Sequence, residues 1–256
     1  MEINVISDYS KEYEFKYEKT SFYKGKKISE VKSNSIFSLK LKFIDQLQMI
    51  FESKKSEYNR QKLVFTPIQF QYDPNVNLFL IKNKDLIRVQ WNKFKESNRS
   101  SKNNAFLFLY EQLYFKIALG LEYDLLSNGA YLPFFVNIYN KDLFYGAVFS
   151  GMSWVHTPLS LPLKIDYIVE KMNEAHIIFQ GTITLDEALL IRLLADKGFQ
   201  KKAKPYHYNK NFSISSDIIS TYDIETGYLK TSSFLMKIYS EEEGIDESIN
   251  SYVVEN

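Results

Sequence analysis

The chain has 256 residues, with 32 Lys and Arg against 31 Asp and Glu, 20 Phe, 19 Tyr and no Cys. The missing cysteine excludes disulfides, thiolate zinc sites, iron–sulfur clusters and cysteine nucleophiles. The balanced charge, with lysines far outnumbering arginines, lacks the basic excess that nucleic-acid binders use to neutralise phosphates.

The length suits one large β domain or two small ones. The wealth of Phe and Tyr favours pleated, half-buried surfaces. Met1 to Phe15 is polar and charged, without the apolar core of a secretory leader. Apolar runs elsewhere are interrupted short of a membrane span. These features predict a cytoplasmic chain that does not insert in membranes, or a periplasmic or exported one had a leader been removed. The abundance of Lys, Asn, Ile, Phe and Tyr points to an AT-rich bacterial genome.

Tyr13, Phe15 and Tyr17 alternate with charged residues, and Phe37, Leu39, Leu41 and Phe43 do so again beyond Lys24-Gly25-Lys26-Lys27. Two such runs around a glycine turn predict a long antiparallel hairpin. Lys54 to Arg60 reads as a loop, and Leu63 to Phe70 as a strand that Pro67 consigns to an edge or bulge. Leu78 to Ile81 and Leu86 to Trp91 flank Asn83-Lys84-Asp85 as a short hairpin. Ser97 to Asn104 reads as a linker. Phe106, Leu109, Tyr110, Leu113 and Ile117 have helical spacing, ended by Gly120.

Tyr131 to Tyr139 reads as a buried strand and Gly146 to Pro162 as loop. Ile165, Tyr167 and Val169 alternate, turn at Met172-Asn173-Glu174, and return through Ile177, Phe179, Gly181 and Ile183. Thr184 and Glu187 have capping-box spacing before a helix over Leu185 to Lys197. Phe212 to Tyr239 is strand-like around an Asp223–Gly227 turn, and the acidic tail from Glu241 is expected to fray. This divides the chain into an N-terminal hairpin half (1–96), a C-terminal β-rich half with two helices (105–240) and the tail (241–256). The two halves share a plan of hairpin strands followed by a helix.

Three segments, EYEFKYEKTSFYKGKKISEVKSNSIFSLKLKFID, LKIDYIVEKMNEAHIIFQGTITL and STYDIETGYLKTSSFLMKI, resemble β-rich proteins of unknown function common in Bacteroidota, several of them exported. The resemblance covers about half the chain and lies in patterning. It implies a curved antiparallel sheet framed by long hairpins, with an Asp-x-x-Thr-Gly-x-Leu turn formed here by Asp223, Thr226, Gly227 and Leu229. It carries no assigned chemistry. The polar N-terminus departs from the exported members.

No residue is assigned a catalytic or metal role, and no cofactor is implied. Ser150-Gly151-Met152-Ser153 lacks the spacing and lysine of a phosphate loop, and there is no Gly-x-Ser-x-Gly elbow. Asp186 and Glu187 suit a helix first turn, and Glu241–Glu243 a solvated run. The histidines are His156, His176 and His207. His156, in Trp-Val-His-Thr-Pro, fits a packing corner or a pocket wall, and His176 a surface strand position. Tyr206, His207 and Tyr208 among Lys202 and Lys204 form the most binding-like stretch, or else a solvated loop after a helix. Among Phe134, Phe135, Tyr139, Phe144, Tyr145, Phe149 and Trp154, most suit a core, while Phe149 and Trp154 beside glycines are expected to be exposed. The candidate binding set is therefore Phe149, Trp154, His156, Lys202, Lys204, Tyr206, His207 and Tyr208.

The expected fold is α+β, a curved and mostly antiparallel sheet with two or three helices packed on one face. The leading functional expectation is a non-enzymatic interaction protein, binding another protein or itself, as a subunit or adaptor of a bacterial assembly or an immunity-type binder. The alternatives are a carrier of an apolar ligand in a sheet cup, and a hydrolase or transferase using His156 or His207 with a carboxylate.

Overall fold

The computed structural model describes residues 10–43, 47–58, 61–62, 68–73, 78–97, 138, 141–156, 161–195 and 212–256. Period-two patterning dominates them. β1 (Ser10–Tyr23) turns at Lys24 and Gly25, both at positive φ, into β2 (Lys26–Phe43). Two left-handed residues match the twist of a tight hairpin, and Tyr23 pairs directly with Lys26. β3 (Leu47–Tyr58), β4 (Gln61–Lys62), β5 (Ile68–Asp73) and β6 (Leu78–Ile81) follow. The polar stretch from Lys54, expected as loop, continues β3 as far as Tyr58.

Leu86 to Trp91, expected as a hairpin strand, belongs to helix α1 (Lys84–Ser97). Ile87, Val89 and Trp91 fit a period of two, yet Val89 is exposed while Ile87 and Trp91 are buried. The operative spacing is Ile87, Trp91 and Phe94, one helical face, with Trp91 and Phe94 stacked at 6.0 Å and Lys95 Nζ 5.2 Å from the Trp91 ring. The helix predicted over 106–119 and the strand over 131–139 lie outside the described residues, Ile138 excepted, which is buried.

β7 (Val148–His156) occupies the stretch expected as loop. β8 (Leu161–Met172) and β9 (His176–Leu185) form the predicted hairpin, and Asn173 Oδ1 accepts from the Ala175 and His176 amides in the turn. α2 (Glu187–Ala195) starts from an Asp186 cap, whose Oδ1 accepts from the Leu189 amide at 2.8 Å. β10 (Ser213–Asp223), β11 (Leu229–Ser240) and β12 (Ile245–Glu255) complete the order.

The twelve strands among the described residues form one antiparallel sheet in the order β6-β5-β3-β2-β1-β12-β11-β10-β9-β8-β7, with β4 beside β3. The tail from Glu241 does not fray, because Ile245–Glu255 pairs with β1 on one side and β11 on the other. The fold is mostly antiparallel β, not α+β with two or three helices packed on a face. Two helices lie among the described residues; α1 buries only Ile87 and Trp91, and α2 buries nothing.

Contacts within the sheet supply the burial that helices were expected to give. Leu41 on β2 donates its amide to the Oη of Tyr228, the residue just before β11, at 3.0 Å, and His156 on β7 meets Glu247 on β12. Five strand spacings separate β7 from β12, about 24 Å across a flat sheet. The sheet is therefore rolled, and its inner face is the core. One row of that face runs across four strands: Phe149, Tyr167, Phe179 and Tyr222, in edge-to-face contacts of 5.5–6.5 Å about Phe179.

Candidate functional site

The inner face is largely apolar, and its charged groups gather where the two flanks meet. Tyr13, Phe15 and Tyr17 of β1 point inward, and the same alternation carries Lys19 and Ser21 inward beyond them. On β12, Glu247, Ile249, Ser251 and Val253 take the inward positions; Ser21 stands opposite Glu247, and Lys19 opposite Ile249. His156 arrives from the far end of β7. Its Nε2 contacts Glu247 Oε1, while Glu247 Oε2 accepts from Lys19 Nζ at 2.9 Å and from Ser21 Oγ at 3.0 Å.

Burial pushes the His156 imidazole below its usual range, against the pull of Glu247. A neutral ring facing an ionised carboxylate donates from Nε2. Burial alone would raise the Glu247 carboxyl, but its bonds to His156 and Lys19 hold it below its ordinary value. Lys19 and Glu247 thus form an ion pair inside an apolar interior, with His156 and Ser21 filling its remaining hydrogen bonds. Such a pair, once formed, is costly to break from one side.

The chemistry open to it is limited. A carboxylate does stand within reach of His156, as acid–base work requires. The Ser21 hydroxyl, however, is turned to Glu247 and not to the imidazole, so no Ser–His–carboxylate relay is formed. Among the described residues no group of three His, Asp or Glu is arranged to hold a metal ion.

Of the residues singled out from sequence, Phe149, Trp154 and His156 share the inner face of β7 at 9%, 1% and 1% exposure, against the expected exposure of the first two. The exposed aromatics are their neighbours Phe144 and Tyr145. Lys202, Lys204, Tyr206, His207 and Tyr208 lie outside the described residues. Lys19, Ser21 and Glu247 escaped sequence reasoning. Their signal was a polar residue at the inward parity of an otherwise apolar strand. An open groove of about 490 Å³ lies elsewhere, at the β8–β9 turn, lined by Tyr145, Met172, His176 and Ile178 among others. Among the described residues no helix is long and apolar enough to cross a membrane.

No protein-family profile and no curated protein sequence matches the chain. Among solved structures it is similar to lipovitellin, at 8% identity and a TM-score of 0.46, over 96% of this chain but only 25% of that one. It is also similar to a DUF1329 family protein from Desulfovibrio piger, at 10% identity and a TM-score of 0.21, over 98% and 88% of the two chains. A third likeness is to a Vibrio parahaemolyticus domain described as an outer membrane lipoprotein-sorting protein, at 10% identity and a TM-score of 0.18, over 96% and 86%.

Proposed function

We propose that the chain is a binding protein for an apolar ligand of the lipid class, taken up on the inner face of the rolled sheet. The observation that carries this reading is the meeting of β7 with β12 across that face. It folds the sheet around an inner face that is mostly aromatic and aliphatic from β1 through β7. Apolar walls with a few convergent polar groups are the usual chemistry of such sites. The lining side chains are closely packed in this conformation, many at 0–2% exposure, so a ligand gains access as β7 parts from β1 and β12. The His156–Glu247–Lys19 contacts form the polar seam that opens.

The test is native mass spectrometry of the full chain before and after solvent delipidation, followed by titration of the delipidated chain with a fluorescent fatty-acyl probe. Saturable one-site binding is expected. A chain that carries nothing and binds no acyl probe would overturn the reading.

A second reading, attachment to another protein, is supported by a different surface. Phe144, Tyr145, Val148 and Ile168 are exposed around β7, an edge strand among the described residues, and Tyr145 and Val148 reach 77% and 67%. Size-exclusion chromatography with light scattering, alone and in lysate, separates the two. A strictly monomeric chain that co-elutes with no partner removes this second reading.

A further inference from the structure

Trp154 Nε1, His156 Nδ1 and Ser251 Oγ are all buried on the inner face without a hydrogen-bond partner. Buried polar atoms are nearly always paired, and each one left unpaired costs free energy. The interior shows elsewhere that it can pair its own: Ser220 and Ser232 bond across β10 and β11 at 2.9 Å. Trp154 and His156 alternate onto the same inner face of β7, and Ser251 takes an inward position on β12, the strand that His156 meets.

We propose that Trp154 and His156, two residues apart on the inner face of β7, form the head-group site for an amphiphile whose head is uncharged and both donates and accepts hydrogen bonds. This rests on the lipid-binding reading and deepens it. The head must accept, because the Trp154 indole can only donate. It must donate, because a neutral His156 that spends its Nε2 proton on Glu247 offers a bare lone pair at Nδ1. It must be neutral, because the Lys19 ammonium is already balanced by the Glu247 carboxylate. An anionic head would bring an uncompensated charge into a largely apolar interior. A glyceryl monoester or a fatty alcohol meets all three conditions. A free fatty acid or a phospholipid does not.

The test uses the full chain carrying Trp91→Phe, which leaves Trp154 as the sole indole. Its fluorescence is followed during titration with 1-monooleoylglycerol, methyl oleate and oleate, which share one acyl chain. Binding is expected in that order, with the monoglyceride about 5–10-fold tighter than the methyl ester, which cannot donate. A Trp154→Phe change in the natural chain keeps an aromatic ring, though a smaller one, and removes the N–H. Followed by native mass spectrometry, it is expected to narrow the gap between the monoglyceride and an alkane of equal length. Should that variant fail to fold, the ranking of the three ligands still decides. Equal binding of all three overturns the head-group site while leaving an apolar carrier. Oleate binding tightest overturns it in favour of an anion site. Binding of none overturns this inference and the reading beneath it together.

Discussion

Gly181 stands directly opposite Tyr167 in the β8–β9 ladder, and a Cβ at 181 would fall 3.0 Å from the Tyr167 ring and 3.1 Å from Ile218. The missing side chain lets the tyrosine fold down and meet Phe179 edge-on. Gly181→Val forces that ring or Ile218 away. It is expected to destabilise the chain by about 1–3 kcal/mol. The check is a lowered urea midpoint with an unchanged slope; an unchanged midpoint would mean that the ring gives way freely.

Acid should loosen the fold. His156 is depressed below its ordinary 6.5, so below that pH the unfolded chain takes up a proton that the folded chain refuses. Glu247 is depressed below its ordinary 4.5, so its contribution is present above that pH and is lost as pH falls through the lowered folded value. Both act in the same direction, and urea stability is expected to drop steadily as pH is lowered from about 7 to about 4. His156→Gln supplies an amide donor that does not titrate. It should flatten the upper part of this profile and leave the lower part.

The Lys19–Glu247 pair should behave non-additively. Lys19→Met leaves a buried carboxylate without its ammonium and is expected to cost about 3–5 kcal/mol. Glu247→Leu strands the lysine at a similar cost. The double variant removes both charges from the interior and should lose much less than the sum. Additive losses in a double-mutant cycle would show that the two charges do not sense one another.

Deleting residues 245–256 should abolish folding. β12 is flanked by β1 and β11, so its loss cuts the sheet in two and bares an apolar row on each side. Circular dichroism and limited proteolysis would register loss of cooperative unfolding. A truncated chain that unfolds like the whole one would contradict the strand order.

Much of the sheet was legible because its inward residues recur at every second position in Tyr13 to Tyr17, Ile165 to Val169 and Ile177 to Ile183. β7 was hidden by its bulge. The register shifts between Ser150 and Ser153, so Phe149 and Trp154 both point inward although they are an odd number of residues apart. Gly151, which a Cβ would drive to 2.7 Å from Ile165, reads in sequence as a loop residue. β12 was hidden by its own inward positions, because Glu247 and Ser251 stand where apolar residues are expected. The site was the least legible part. His156 and Glu247 are 91 residues apart, and only the rolling of the sheet brings them together.

The β1–β12 ladder also sets a timetable for synthesis. Ser21 and Glu247 are 226 residues apart in the chain. At a translation rate of about 5–20 residues per second, β1 waits on the order of tens of seconds for its second neighbour. Throughout that interval the nascent β1–β2 hairpin presents one bare edge and an uncovered aromatic row, the geometry most prone to mispairing with other chains. A ribosome-bound chaperone that shields this hairpin would raise the yield of native protein more than any slowing of elongation.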